Sequence, residues 1–157
     1  MTGGIFTHLL IAVLGCMLLL AAYTDIKRRE IDNWLNGAIA LLAPIFWISN
    51  GYALWPDMAI QFGIGLAVFA VFTILFVIGA MGGGDVKLLG ALSLWLPLQE
   101  LFGMLFIMSI VGGILTAAMM IAYKIIKSKE KIEVPYGVAI TCGGLWVMSE
   151  PYLNQFA

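Results

Sequence analysis

Long apolar runs, interrupted by very few charged residues, decide what this chain can fold into. A helix that crosses a bilayer needs about 20 mostly apolar residues, and several stretches of the 157-residue sequence approach or exceed that length. Only 11% of the residues are charged and 62% are hydrophobic, whereas a soluble domain has about 25% charged residues. The sequence therefore predicts an all-α membrane protein whose main partner is the lipid bilayer.

Six helical passes are predicted within a single membrane-embedded domain that covers residues 1–157. The passes are Ile5–Tyr23, Trp34–Ser49, Met58–Gly79, Asp85–Leu96, Leu101–Tyr123 and Val134–Ser149. The fourth would rise only about 18 Å at 1.5 Å per residue, while the hydrocarbon core is about 30 Å thick. We therefore expect this short pass either to be sheltered by other helices or to lie in a thinned region of the bilayer.

The basic residues lie on one side of this predicted topology. All 8 Lys and Arg residues fall in three connecting segments, which are Thr24–Asn33, Ala80–Lys87 and Lys124–Glu133. The charged and histidine residues on the opposite side are His8, Asp57, Glu100 and Glu150. Because Lys and Arg accumulate in cytoplasmic loops, we expect the basic segments in the cytoplasm and both termini outside it. A multi-pass protein of the inner (cytoplasmic) membrane is predicted.

Asp25 and Asp85 are the candidate catalytic residues, since each lies at the predicted cytoplasmic end of a helix. Ionisable groups at membrane depth are costly, and they are functional candidates for that reason. A carboxylate that ends a helix also faces the unfavourable end of its dipole, which favours a functional role for Asp25. Two alternatives stay open at this point. Asp85 could be the N-cap of its helix, and Asp25 could be a solvated carboxylate at the membrane interface.

Three consecutive glycines, Gly82, Gly83 and Gly84, precede Asp85 and are candidate site-shaping residues. Because they lack side chains and adopt positive φ at little cost, an extended substrate could lie close to their backbone. A plain flexible turn is the alternative interpretation. The other carboxylates near the basic segments, which are Glu30, Asp32, Glu130 and Glu133, are interpreted as surface charges.

The sequence indicates neither a metal site nor a catalytic nucleophile. Cys16 and Cys142 form no Cys-x-x-Cys pair, and His8 is the only histidine, so that the usual zinc-ligand spacings are not found. A Ser-His-Asp or Cys-His arrangement is excluded because His8 lies on the side opposite to the candidate aspartates. No cofactor and no nucleic acid are predicted as partners, and a mechanism with two aspartates fits what remains.

Three stretches of the sequence match a family pattern in order and spacing. Asp25–Asn33 contains an Asp followed by basic residues and ends in Asn, with Asp32 where the pattern usually has Pro. Gly82–Lys87 contains the GxGD motif followed by Lys, and Val134–Ala139 contains a Pro-aromatic-Gly element. In these features the chain resembles the type IV prepilin peptidases, which are GxGD membrane aspartyl proteases.

The resemblance implies a membrane aspartyl endopeptidase in which Asp25 and Asp85 share a proton. Its reaction would be hydrolysis of a prepilin leader just after a glycine, where a basic leader meets an apolar helix at the cytoplasmic face. Gly82, Gly83, Gly84, Lys87 and Asn33 would bind the substrate or shape the site.

The longer relatives in this family carry a cysteine-rich insertion and also N-methylate their product. Because the sequence has no such insertion, it resembles the short, peptidase-only subgroup associated with Flp or tight-adherence pilins, and no methyltransferase activity is expected. Archaeal preflagellin peptidases are similar as well. The alternative function is a small proton- or ion-coupled transporter, or a pilus or secretion assembly subunit without catalysis. A transporter usually has repeated halves and ionisable residues near the midplane, neither of which is found here.

Overall fold

The chain folds into helices, and no β-strand occurs in residues 4–126 and 134–153, which are the residues that the computed structural model describes. The side chains of residues 151–153 are not described. The helices are α1 (Ile5–Arg28), α2 (Asn33–Ser49), α3 (Ala59–Val77), α4 (Gly83–Ser93), α5 (Leu98–Ile126) and α6 (Tyr136–Leu153). The all-α prediction is confirmed. Lys127, Lys129, Glu130, Lys131, Glu133 and both termini, on which part of the charge argument depends, lie outside the described residues.

Three segments among the described residues are long and apolar enough to cross a membrane. They are Ile5–Arg28, Leu54–Val77 and Leu98–Ile126. The second of these consists of an irregular turn, Leu54–Met58, and α3. Asn33–Ser49 is apolar but shorter. Large apolar side chains such as Phe62 and Phe102 are exposed on the outer surface of the helices, as expected where lipid replaces water. The prediction of a membrane protein is therefore confirmed.

The short helix α4 lies at the centre of the bundle. It has 11 residues and a length of about 16 Å at 1.5 Å per residue. Of the residues from Asp85 to Ser93, only Lys87 is not buried. Because α4 packs against α2, α3 and α6, shelter by other helices is confirmed as the arrangement of this segment.

Side chains from neighbouring helices satisfy the backbone carbonyl groups at the end of α4. The Gln61 side-chain amide donates hydrogen bonds to the carbonyl oxygens of Ser93 at 2.8 Å and Leu96 at 2.7 Å. The Trp47 indole N–H donates to the carbonyl oxygen of Leu94 at 2.7 Å. The last carbonyl groups of a helix have no partner within the helix, and water does not reach the bilayer core. These contacts allow α4 to end inside the bundle.

Gly79 follows the end of α3 and turns the chain toward the Gly82–Gly84 run. Its φ is 75°, its N–H donates to the Phe76 carbonyl at 2.9 Å, and the Ala80 N–H donates to the Leu75 carbonyl at 2.8 Å. This is the left-handed C-terminal cap that glycine favours. Gly82–Gly84 do not use the positive φ that glycine allows, since Gly51 and Gly79 are the glycines with positive φ among the described residues.

Candidate active site

Asp25 and Asp85 line the same cavity, which has a volume of about 440 Å³. Asp25 lies in the last turn of α1, because that helix continues through Arg28, beyond the predicted apolar pass Ile5–Tyr23. Asp85 lies in the first turn of α4. The two residues are 5% and 8% exposed, and they are close enough for the charge of one to act on the other. The structure thus brings together the two aspartates that the sequence selected.

Asp25 accepts a hydrogen bond from the start of a different helix. The backbone N–H of Gly137 donates to Asp25 Oδ2 at 2.8 Å, and Gly137 is the second residue of α6. The first N–H groups of a helix have no partner within it and carry the positive end of its dipole. The start of α6 therefore offsets the unfavourable position of Asp25 at the end of α1. Because Asp25 is buried and bonded in this way, the alternative of a solvated interfacial carboxylate is wrong.

Asp85 is not the N-cap of α4. That position belongs to Gly82, which has extended backbone angles (φ −73°, ψ 146°), whereas Asp85 is the third residue inside the helix. The Asp85 carboxyl group lies close to Gly82, since a Cβ added to that glycine would be 2.8 Å from Asp85 Oδ2. The N-cap interpretation is therefore wrong, and the Asp85 carboxyl group lines the same cavity as Asp25.

The backbone of the Gly82–Gly84 run lies in close contact with neighbouring residues. A Cβ added at Gly82 would lie 2.8 Å from Asp85 Oδ2, one at Gly83 would lie 3.2 Å from Phe76 Cε2, and one at Gly84 would lie 3.3 Å from Ile31 Cβ. Gly82, Gly83 and Gly84 also line the cavity that contains the aspartates. These distances argue against a plain flexible turn, since each glycine permits a close approach that a side chain would prevent.

Gly137 is a site residue that the sequence analysis did not select. A Cβ at this position would lie 2.8 Å from Asp25 Oδ2 and 2.9 Å from Ile31 Cδ1. The Pro-aromatic-Gly element contained this glycine, which was the available signal. Nothing in the sequence connected it with Asp25, because the two residues are 112 positions apart.

Lys87 and Asn33, the other candidate site residues, contact each other. The Lys87 Nζ donates a hydrogen bond to Asn33 Oδ1 at 2.8 Å. Asn33 lines the cavity of the aspartates, whereas Lys87 is found with Asn33 along a neighbouring groove between α2, α3 and α4. A second contact, in which Asn36 Nδ2 donates to the Gly84 carbonyl at 3.3 Å, also joins the start of α2 to the start of α4.

Asp32, which stands where the matching family pattern has Pro, keeps a proline-like backbone. Its φ is −62°, within the range that a proline ring imposes. The Asp32 carboxylate pairs with Arg28 at 2.6 Å. Because Arg28 ends α1 and Asp32 immediately precedes α2, this exposed ion pair closes the connection between the two helices.

A second cavity, of about 510 Å³, reaches the same two aspartates. Both cavities are lined by Asp25, Arg29, Gly82 and Asp85. The second one continues along residues from the end of α3 and the start of α6, which are Phe76, Gly79, Ala80, Met81, Val134 and Tyr136. The two aspartates thus lie where two adjoining cavities meet. Among the described residues, no group of three or more His, Cys, Asp or Glu could hold a metal ion.

Comparisons with known proteins give the sequence relationships of this chain. A family model described as "Type IV leader peptidase family" matches residues 12–117, a stretch that includes both aspartates. The chain is 24% identical over 143 residues to a "Prepilin leader peptidase/N-methyltransferase" of Xanthomonas campestris pv. campestris. That alignment covers 87% of this chain but 47% of the relative, so the chain spans about half the length of that curated relative. No solved structure matches the chain.

Proposed function

The chain belongs to the type IV leader peptidase family, and on this premise we propose that it is an aspartyl endopeptidase that removes the leader of prepilin-like proteins. The observation that carries the proposal is the pair of buried aspartates, Asp25 and Asp85, in one cavity that borders the Gly82–Gly84 run. Membrane aspartyl chemistry needs two carboxyl groups and a water molecule and no other group.

In the proposed reaction the two carboxyl groups share one proton, because two like charges held close together in a buried site do not both ionise easily. The ionised carboxylate takes a proton from water, whose oxygen attacks the scissile carbonyl carbon. The protonated carboxyl group donates its proton to the carbonyl oxygen. Collapse of the resulting tetrahedral intermediate breaks the C–N bond, and a proton passes to the leaving amine. The Gly137 N–H keeps Asp25 in place throughout.

We propose that the cleavage takes place at the cytoplasmic face of the inner membrane. The support is the position of Lys27, Arg28 and Arg29 immediately after Asp25, because basic residues accumulate on the cytoplasmic side. The corresponding topology has six passes within the single domain, with both termini outside the cytoplasm. In it, α4 is a short pass sheltered by the other helices.

The substrate that we propose is an Flp-type or tight-adherence prepilin, cleaved without subsequent methylation. This finer assignment is supported by the positions of the two cysteines in the sequence. No cysteine lies between Cys16 and Cys142, and the paired Cys-x-x-Cys motifs of the longer, methylating enzymes are not present.

The test is co-expression of the chain with a candidate prepilin, followed by electrophoresis of the pilin. The native chain should produce a leader-sized mobility shift, and Asp25→Asn and Asp85→Asn should each abolish it while the protein still accumulates in the membrane. Asp57→Asn is the matched control, since Asp57 is exposed and its carboxylate accepts a bond from the Ala53 N–H. Full processing by either aspartate variant would overturn the two-aspartate mechanism, and the lack of a mobility shift with the native chain would favour the transporter or assembly-subunit alternative.

A further inference from the structure

A groove on the lipid-facing side of the bundle runs between α2, α3 and α4. Its volume is about 470 Å³. Its apolar lining consists of Ala40, Phe62, Leu66, Phe69, Ala91 and Leu94. Of these, Phe62 and Leu66 are each 59% exposed, so that the groove is open to the membrane.

On the α2 side of the groove there is open space next to Gly37. A Cβ added to Gly37 would meet no atom within 4 Å, and the residue is exposed. A helix that enters the groove can therefore approach the α2 backbone closely, and close approach of this kind is what stabilises helix pairs in membranes. This feature alone does not identify an occupant.

A buried polar atom without a partner points to a ligand. Asn36 lines the groove, is 5% exposed, and its Oδ1 has no hydrogen-bond partner among the described residues. Its Nδ2 is already used, because it donates to the Gly84 carbonyl. A buried acceptor without a partner costs free energy, and an occupant that brings an N–H or O–H donor removes that cost. The first N–H groups of an incoming helix are donors of this kind.

The groove is continuous with the cavity of the two aspartates. Asn33 lines both, and Asn36 is bonded to Gly84, the residue that precedes Asp85. A chain that lies in the groove and passes Asn33 therefore enters the cavity that Asp85 lines. The second cavity then remains for the chain on the other side of the scissile bond.

We propose that this groove binds the apolar helix of the prepilin-like substrate, with the first turn of that helix at Asn33 and Asn36. The inference rests on the proposed function, since it assigns the segment that follows the scissile bond. It makes Gly37 and Asn36 substrate-binding residues, and it gives Lys87 and Asn33 the role of joining the binding groove to the catalytic cavity.

Photocrosslinking tests the occupant directly. A benzophenone amino acid replaces Gly37 in the Asp85→Asn variant, which is expected to retain uncleaved substrate, and the protein is co-expressed with the prepilin. Gly63 is the matched control, because it is an exposed helical glycine with no atom within 4 Å of an added Cβ and it is not part of the groove lining. We expect an adduct with the apolar segment of the prepilin from position 37 and none from position 63. Adducts from position 37 with lipid or with a second copy of this chain alone would overturn the inference.

Filling the groove gives a second readout. Gly37→Leu should raise KM for the prepilin about tenfold or more, which is the effect of removing about 1.4 kcal/mol of binding free energy, with kcat little changed. Gly63→Leu should change neither constant. A native KM for Gly37→Leu would overturn the inference while leaving the proposed function intact, since the latter is decided by the aspartate variants. Should Gly37→Leu fail to accumulate, the crosslinking result decides.

Discussion

The backbone N–H of Gly137 lies 2.8 Å from Oδ2 of Asp25 and donates a hydrogen bond to it across 112 positions of sequence. In the sequence Asp25 lies in the last turn of α1. In the fold its carboxylate lies beside the first N–H groups of α6. A carboxylate is unfavourable at the first of these positions and favourable at the second. The Asp25 carboxylate therefore depends on the packing of α6 beside α1 for its position.

Gly137→Ala should reduce kcat. The added Cβ would lie 2.8 Å from Asp25 Oδ2, so the carboxylate must move, and a displacement of about 1 Å in a catalytic group can cost about 100-fold in rate. We expect a loss of at least about tenfold in kcat by the same relation. Gly113→Ala, where an added Cβ meets no atom within 4 Å, is the control. Native kcat for Gly137→Ala would show that this hydrogen bond does not position Asp25 for the reaction.

The cleavage rate should depend on pH with a single maximum. At low pH both Asp25 and Asp85 are protonated and no carboxylate is available as the base. At high pH both are ionised and no carboxyl group can protonate the carbonyl oxygen. The two limbs belong to the coupled pair and not to either residue alone. The measurement is kcat against pH for the purified chain, with Asp57→Asn as a control that should give the same profile. A rate that rises with pH and then stays constant would contradict the shared proton.

Gln61→Leu should destabilise the protein, because the carbonyl groups of Ser93 and Leu96 would lose their donor. A buried polar group left without a partner costs about 1–3 kcal/mol, and the free energy of unfolding in mixed detergent micelles should fall by at least about that amount. Thr73→Val is the control on the same helix, since the Thr73 hydroxyl is exposed and bonds only within α3, to the Phe69 carbonyl. Equal stability of the two variants would mean that another donor replaces Gln61.

Cysteine labelling tests the proposed topology. In a variant without Cys16 and Cys142, a cysteine at position 57 should react with an impermeant maleimide in intact cells. A cysteine at position 30 should react only after the membrane is opened, because Glu30 follows the basic residues that the positive-inside rule assigns to the cytoplasm. The reverse pattern would invert the orientation, and labelling of both positions in intact cells would mean that α2 does not cross.

Features that depend on length, apolarity and charge could be predicted from the sequence. The helices, and the presence of Asp25 and Asp85 at one end of the bundle, follow from where the apolar runs stop and the charged segments begin. The predicted pass stops at Tyr23 because the apolar residues stop there, whereas the backbone of a helix continues while its hydrogen bonds are satisfied. The N–H of Arg29 bonds to the Asp25 carbonyl at 2.9 Å, and α1 therefore runs through Arg28.

Features that depend on contacts between distant segments could not be predicted in this way. The bond between Gly137 and Asp25 requires knowledge of how α6 packs beside α1. The caps of α4 were missed as well, although a signal existed. Gln61 is a polar side chain in a long apolar run, and such a residue in a membrane must find a hydrogen-bond partner. Its partners, the carbonyl groups at the end of α4, are identified only by the fold.

The short helix α4 has a further consequence for the site. It is held at its far end by Gln61 and Trp47 and at its near end by the contact of Asn36 with Gly84. Between these points it is a helix about 16 Å long, and its residues from Asp85 to Ser93, except Lys87, are buried. The position of Asp85 is therefore set by contacts within the bundle and not by the distance to the lipid headgroups. A thicker or thinner bilayer would move the whole protein relative to the headgroups, and the two aspartates would keep their separation.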